Sequence, residues 1–273
     1  MELGKDYHVT PEVSIRWITI ACFEIRVGDF RILIDPCVGQ NPNVPYGAEV
    51  LDKADLILIS HGHWDHITDL QEMIGRSDCP VLCGELTAAD LCRVTDCNPA
   101  MIYPVTPDLE LDFGAVKVKA LFARHKNQHK PLGTQMEHIC SHPWINTPEE
   151  ASVNFFGSLE YRDYLITTPS GLKIMFWGSN VTPEQIAIVA REKPDIAFLQ
   201  YSGPVEEGLA ELVAAGGIKT VIPHHMDLTK TEEQYWPRMQ PLEDAIHAKK
   251  PDCLVIFPRH LQWYHFGRCA WSE

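Results

Sequence analysis

An α/β (α+β) fold, in one domain over residues 1–273, is predicted by two features of the sequence. The first is a repeated order of elements. In each half of the chain, strands joined by tight turns come first and strand–helix units follow, which builds two similar layers. The second is a histidine-rich turn, Ser60-His61-Gly62-His63-Trp64-Asp65-His66. It lies between an apolar, β-prone run at 54–60 and a run with helical spacing of apolar residues at 67–74. Proteins of this class place their sites at the carboxyl ends of buried strands.

Each element has a local signal. Residues 13–17 and 21–27 alternate in polarity, Gly28-Asp29 is a hairpin turn, and 30–34 is an apolar run ending at Asp35-Pro36. The stretch 39–47, rich in Asn and Pro, reads as a loop. Beyond the histidine turn, strands are predicted at 80–83 and 101–103, a helix at 86–94, and a hairpin from 109–113 and 116–122 that runs into Ala123-Arg124-His125. Residues 126–150 are polar, contain proline and break the pattern. A segment of this length inside a compact domain is either a lid or a surface insertion. Its position after His125 favours a lid. Strands follow at 155–161, 164–167 and 173–177, the last ending at Gly178-Ser179-Asn180. Thr182-Pro183-Glu184 opens a helix with an N-cap, a proline at N1 and an acid in the first turn. Strands at 196–199, 220–222 and 254–257 and helices at 206–214 and 232–249 complete the chain.

Composition narrows the function. The 45% hydrophobic content suits a soluble globular protein, and 273 residues can bury a large core. A net charge of −14 argues against broad binding to nucleic acid or to anionic membrane. The amino terminus lacks a cationic region followed by an apolar core, and no apolar run reaches the roughly 20 residues that span a bilayer. A cytoplasmic protein is therefore expected. Its partner is a small-molecule substrate, with a homo-oligomer also compatible. The nine cysteines are an odd number. Buried thiols are the simplest reading, although Cys79, Cys83, Cys92 and Cys97 cluster closely enough to weigh a structural zinc site.

The chemistry is concentrated at strand ends. His61 and His63, one residue apart in an extended turn, can face a common point. Asp65 and His66 follow where the helix begins and can serve a neighbouring point. Other strand ends lead into His125, Ser179 and His225, with His224 the alternative to His225 by register. Lone histidines such as His8, His247 and His265 are more often structural. Three protein ligands plus an open position describe a catalytic zinc site, and imidazole with carboxylate also accepts Mn²⁺, Fe²⁺ or nickel.

The run His61-Gly62-His63-Trp64-Asp65-His66 resembles the His-x-His-x-Asp-His motif of the metallo-β-lactamase superfamily. Ile32-Leu33-Ile34-Asp35-Pro36, Ala123-Arg124-His125 and Val221-Ile222-Pro223-His224-His225 are similar to its other motifs, so the resemblance covers most of the chain. The Ile-Pro-x-His form is most similar to the branch that contains the ascorbate-6-phosphate lactonase. The resemblance implies a four-layer αββα sandwich with one metal on His61, His63 and His125 and another on Asp65, His66 and His225. It also exposes a departure. The family's Gly-Asp-Thr or Gly-Asp-Ser motif is Gly178-Ser179-Asn180 here, so a neutral serine stands where a carboxylate normally bridges two ions. The expectation is a well-filled first site and a second that is weak, absent or completed by a substrate anion, unless Asn180 or a lid residue replaces the bridge.

These residues predict a Zn²⁺-type hydrolase of a lactone, amide or phosphoester. Asp65 orients the attacking water and His260, after the last predicted strand, is the candidate proton donor. The lid histidines His129, His138 and His142 are candidate substrate contacts, and Arg124, Lys126, Lys130 and Arg259 candidate charges for an anionic substrate. The alternatives are an iron-dependent oxidoreductase or sulfur dioxygenase, against which Ser179 counts, and a non-catalytic metal-binding member of the superfamily.

Overall fold

Two seven-stranded sheets face each other in the computed structural model, which describes residues 11–125, 147–157, 159–179, 181–228 and 230–267. The first contains β1 (Val13–Thr19), β2 (Cys22–Val27), β3 (Phe30–Ile34), β4 (Leu56–Leu58), β5 (Val81–Cys83) and β6 (Ile102–Pro104), with β14 (Trp263–Phe266) beside β1. The second runs in chain order from β7 (Glu110–Asp112) and β8 (Lys117–Ala123) through β9 (Tyr161–Thr167), β10 (Lys173–Trp177), β11 (Ile196–Gln200) and β12 (Thr220–His224) to β13 (Leu254–Val255). In both sheets the hairpin strands pair antiparallel and the strands of the βα units pair parallel.

Strand periodicity explains the layers. Ile32, Ile34, Leu56, Leu58 and Leu82 point to the second sheet, while Leu33, Ile57, Val81 and Cys83 point the other way and are buried with Met73, Ala88 and Leu91. Those last three belong to α2 (Leu70–Ser77) and α3 (Glu85–Val94), the outer layer of the first sheet. On the second sheet, Val189, Leu209, Leu212, Leu242 and Ile246 cover the strands from α5 (Pro183–Glu192), α6 (Glu206–Gly216) and α7 (Glu232–Lys249). The result is an αββα sandwich. Between the sheets, Phe23 of β2 stacks on Phe198 of β11 at 4.2 Å and 11°. Fully burying one such ring contributes roughly 1.5–3 kcal/mol. The Tyr164 hydroxyl donates to the Ile59 carbonyl at 2.8 Å, and the Arg162 N–H donates to the Ser60 carbonyl at 2.8 Å. The sheets are thus bonded to each other where β4 ends.

Three elements differ from expectation. Residues 155–157 are not strand. They end α4 (Pro148–Gly157), which begins with a reciprocal cap: the Glu150 N–H donates to Thr147 Oγ1 and the Thr147 N–H to Glu150 Oε2, both at 3.1 Å. A second strand, β14, extends the first sheet beyond β1, its register joining Val13 to Phe266 and Arg16 to Trp263. The Arg16 and Arg26 guanidiniums lie over Trp263 at 4.8 and 4.1 Å, so an aromatic edge is covered by cations. The strand at 254–257 is also shorter, covering only Leu254–Val255. Of the segment 126–150, residues 126–146 lie outside the described residues, and with them Lys126, His129, Lys130, His138 and His142. Among the described residues, no helix is long and apolar enough to cross a membrane.

On β8, Lys119 reaches across to Glu192 of α5 at 2.7 Å, and Arg191 bonds the same carboxylate at 2.8 Å. Burial raises the Glu192 pKa, but these cations outweigh it and hold the group below the usual glutamate range. A folded pKa below the unfolded one means that the stabilisation is complete above the ordinary value of roughly 4.3 and is lost as pH falls through the folded value. Glu192→Gln should lower Tm by roughly 1–3 °C at neutral pH and lose less further stability below about pH 4 than wild type. Thermal melts across pH check this; parallel pH profiles for the two proteins contradict it.

Candidate metal centre

The site is built where strands end. β3 ends at Asp35, β4 leads through Ser60 into His61 and His63, β8 leads into His125, β10 into Ser179, and β12 into His225. A short helix, α1 (Trp64–Ile67), starts immediately after His63 and places Asp65 and His66 in its only turn. Folding therefore collects six side chains from three separate stretches of chain.

They form two groups. His61, His63 and His125 offer three ligand atoms within 4.8 Å of one another, and Asp65, His66 and His225 offer another three within the same distance. The groups adjoin, since the His61 and His66 ring centroids are 4.0 Å apart. Among the described residues these are the two clusters of three or more such side chains. Cys79, Cys83, Cys92 and Cys97 are free thiols that form no such cluster among the described residues, which removes the structural zinc site weighed from their spacing.

The chain supplies a support for each imidazole. Asp35 is fully buried at φ 45°, and its carboxylate accepts the Ser60 N–H at 2.7 Å and the Ser60 hydroxyl at 2.6 Å. The same carboxylate lies 2.7 Å from His66 Nδ1, so Nε2 is the nitrogen of His66 left for the site. Ser60 Oγ is 3.0 Å from His61 Nδ1. His61 Nε2 is buried and has no hydrogen-bond partner among the described residues. Buried polar atoms are nearly always satisfied, so an orphan nitrogen among five other donors fits a bound cation. Burial, and then the neighbouring histidines, hold the His61 pKa well below the ordinary imidazole value, which keeps it neutral and able to ligate. Burial disfavours the His66 cation, but Asp35 and Asp65 outweigh it and raise that pKa. Burial likewise raises the Asp65 pKa, and His66 and His225 more than reverse it, so Asp65 is ionised.

His225, and not His224, enters the site. His224 is fully buried beneath it, its Nε2 3.3 Å from the Trp177 carbonyl and its ring stacked on Phe176. His225 leaves the strand at φ 67° and puts Nε2 3.3 Å from Asp65 Oδ2. A non-glycine residue held at positive φ is strained, and the surroundings must enforce it. Here the His225 N–H donates to the Ile20 carbonyl at 2.8 Å, and Ile20 is itself at φ 51°. The fully buried Asp227 carboxylate accepts the Ile20 N–H at 3.0 Å, the Thr19 hydroxyl at 2.5 Å and the Asn41 side-chain N–H at 3.0 Å.

Asp227 also explains His260. The His260 Nε2 lies 2.9 Å from Asp227 Oδ2, with its ring 4.4 Å from that of Trp17. It joins neither three-ligand group and connects to the His225 end through Asp227. The expected charges for an anionic substrate have other partners: Arg124 pairs with Glu184 at 3.3 Å, and Arg259 lies over the Trp236 ring at 5.7 Å. His247 bonds the Cys253 carbonyl and His265 bonds Ser14, both structural roles.

Two features escaped sequence reasoning. Tyr161 stacks on His61 at 4.4 Å and 25°, and a Cβ on Gly178 would fall 1.8 Å from its hydroxyl, so only glycine fits that turn. Asp163, two residues along β9, accepts the Gly178 N–H at 2.9 Å and the Ser179 hydroxyl at 2.6 Å. Burial pushes its pKa up to about 7, against the hydrogen bonds from Gly178 and Ser179. A cavity of about 560 Å³ is lined by Gly62 and Trp64, the chain neighbours of His63, and by Ile67, Leu91, Val153 and Asn154; none of the six gathered side chains lines it.

Comparison with known proteins agrees with this architecture. The chain is 26% identical over 257 residues to a UPF0173 metal-dependent hydrolase of Solibacter usitatus, covering 88% of this chain and 97% of that protein. It is 32% identical over 118 residues to a UPF0173 metal-dependent hydrolase of Thermoplasma volcanium, which is 43% of this chain and spans half of that relative's length. Among solved structures, Igni18, a metallo hydrolase of Ignicoccus hospitalis, is similar in fold, with a TM-score of 0.65 at 16% identity over 93% of this chain and 99% of that one. The family model of the beta-lactamase superfamily domain matches residues 30–226, and the chain belongs to that superfamily.

Proposed function

We propose that the chain is a metal-dependent hydrolase of a small molecule with a lactone, amide or phosphoester bond. The observation that carries this reading is the pair of adjoining three-residue groups around the buried His61 Nε2, which has no hydrogen-bond partner among the described residues. His61, His63 and His125 would hold one divalent ion, and Asp65, His66 and His225 the other. Zinc suits this imidazole and carboxylate set best, and manganese or iron accepts it too. Such an ion supplies, when bound, a water with a pKa lowered toward roughly 7 and a Lewis acid for the attacked oxygen.

The remaining work falls to the chain's own groups. Asp35 and Ser60 fix the ring orientation of His66 and His61. Asp65, ionised, accepts a hydrogen bond from the attacking water and so orients it. Protonation of the leaving group is assigned to His260, which Asp227 holds by Nε2. The cavity lined by Gly62 and Trp64 on either side of His63 in the chain, of mixed polar and apolar lining, is the candidate space for the substrate body. The Ile-Pro-x-His form, which resembles that of the ascorbate-6-phosphate lactonase branch, makes lactones the first class to assay. A cytoplasmic setting belongs to the same reading, and the absence of nucleic acid and anionic membrane as partners is supported by the net charge of −14.

A panel of lactones, phosphodiesters and amides, assayed with zinc and with manganese, tests the reading. One class should be hydrolysed, chelation should abolish turnover and metal should restore it; inactivity of the loaded protein on all classes contradicts it. Asp35→Asn, which keeps shape but loses the charge behind His66, should weaken metal affinity roughly 10–100-fold by competition with a chromophoric chelator. An unchanged affinity would remove Asp35 from the support of the site. His260→Ala should lower kcat roughly 100-fold or more while metal content stays at the wild-type value; a lost ion or an unchanged kcat contradicts the proton-donor role.

A further inference from the structure

Ser179 poses the unanswered question of the centre. If two ions bind, the only carboxylate among the six gathered side chains is Asp65, and the serine contributes no charge. The structure places a second carboxylate directly behind the serine. Asp163 is 1% exposed, and both its oxygens are committed to the Gly178–Ser179 turn, Oδ1 to the Gly178 N–H and Oδ2 to the Ser179 hydroxyl. Among the described residues it has no cationic partner. Its neighbour Arg162 turns to the other face of β9 and pairs with Glu160 at 3.0 Å. A buried carboxylate without a cation is costly and rarely retained without compensation.

The surroundings point from this carboxylate toward the histidine cluster. The Gly178–Ser179 turn packs on the Tyr161 hydroxyl, and the Tyr161 ring lies on His61 at 4.4 Å and near His125 at 6.1 Å. Asp163 therefore connects to the metal-capable cluster through the Gly178–Ser179 turn and the Tyr161 ring. The Ser179 hydroxyl donates its proton to Asp163, which leaves the oxygen lone pairs free to face away from the carboxylate.

We propose that Asp163, acting through the Ser179 hydroxyl, supplies the negative charge that the second ion needs, so that a serine–aspartate pair takes the place of a bridging carboxylate. Asp163 is here a positioning residue and not a ligand. The arrangement keeps a carboxylate behind the Gly178–Ser179 turn and leaves the serine oxygen itself neutral. The pair rests on the metal-dependent reading for the presence of ions and not on any substrate.

The test is a count of ions. The protein is stripped with chelator, titrated with zinc, and measured by mass spectrometry and by competition with a chromophoric chelator. Wild type should hold two ions. Asp163→Asn and Ser179→Ala should each hold the first with unchanged affinity and the second roughly 10–100-fold more weakly. The double variant Ser179→Asp with Asp163→Asn, which moves the carboxylate forward, should regain the second ion. Circular dichroism melts of the metal-free variants control for folding, and Ser179→Ala, which keeps the buried Asp163, serves if Asp163→Asn does not fold. Fewer than two ions in wild type, two tightly held ions in both single variants, or a double variant that stays at one ion overturns the proposal. Two-ion binding with no turnover on any substrate would defeat the hydrolase reading and leave this one standing.

Discussion

The carboxylate of Asp35 joins the fold to its site. It sits fully buried at the end of β3, where the chain turns through a positive φ, and bonds the backbone and hydroxyl of Ser60 at the end of the adjacent parallel strand. Through the same oxygens it holds His66, and through Ser60 it reaches His61. One group thus ties two strand ends, fixes two imidazoles and places a negative charge behind them. Strand pairing alone would bring His61 and His66 close; it would not decide which ring nitrogen each presents. That decision is what separates a histidine cluster from a metal site.

A second carboxylate works in the same way at the other end of the centre. Asp227 holds the strained Ile20 turn by its N–H, that turn holds the strained His225 by its carbonyl, and Asp227 also receives His260. Positive φ at an isoleucine is sterically unfavourable, and three hydrogen bonds to one buried carboxylate are what make it stable. Asp163 behind Ser179 makes a third. The design is consistent: metal-capable side chains in front, and buried carboxylates from elsewhere in the chain behind them.

Much of this was legible in the sequence because it is local. His61 to His66 is a continuous stretch between a strand and a helix, and His125 and His225 each end a strand, so pattern supplied the candidates, while register left His224 and His225 open and the resemblance to the superfamily chose between them. The support was not legible. Asp163 lies in the middle of a strand, 16 residues before the serine it bonds, and reads as an ordinary polar position. Asp227 sits in a loop whose partners Thr19, Ile20 and Asn41 lie some 200 residues away in sequence. The misread helix had a different cause. Thr147-Pro148-Glu149-Glu150 carries the Ser/Thr-x-x-Glu cap signature with proline at N1, but the apolar run around 155–157 suggested a strand, and periodicity cannot separate the two over so few residues. Strand β14 was missed because its residues alternate weakly and its stability comes from pairing with β1 and from the arginines over Trp263.

The central claim is that six side chains, oriented by buried carboxylates, hold two ions side by side. Anomalous diffraction at the metal absorption edge from crystals of the zinc-loaded protein tests it most directly. The account predicts two peaks, one roughly 2.0–2.2 Å from the nitrogens of His61, His63 and His125 and one at the same range from Asp65, His66 and His225. A single peak, a peak at neither group, or an ion held by residues outside these six would contradict it.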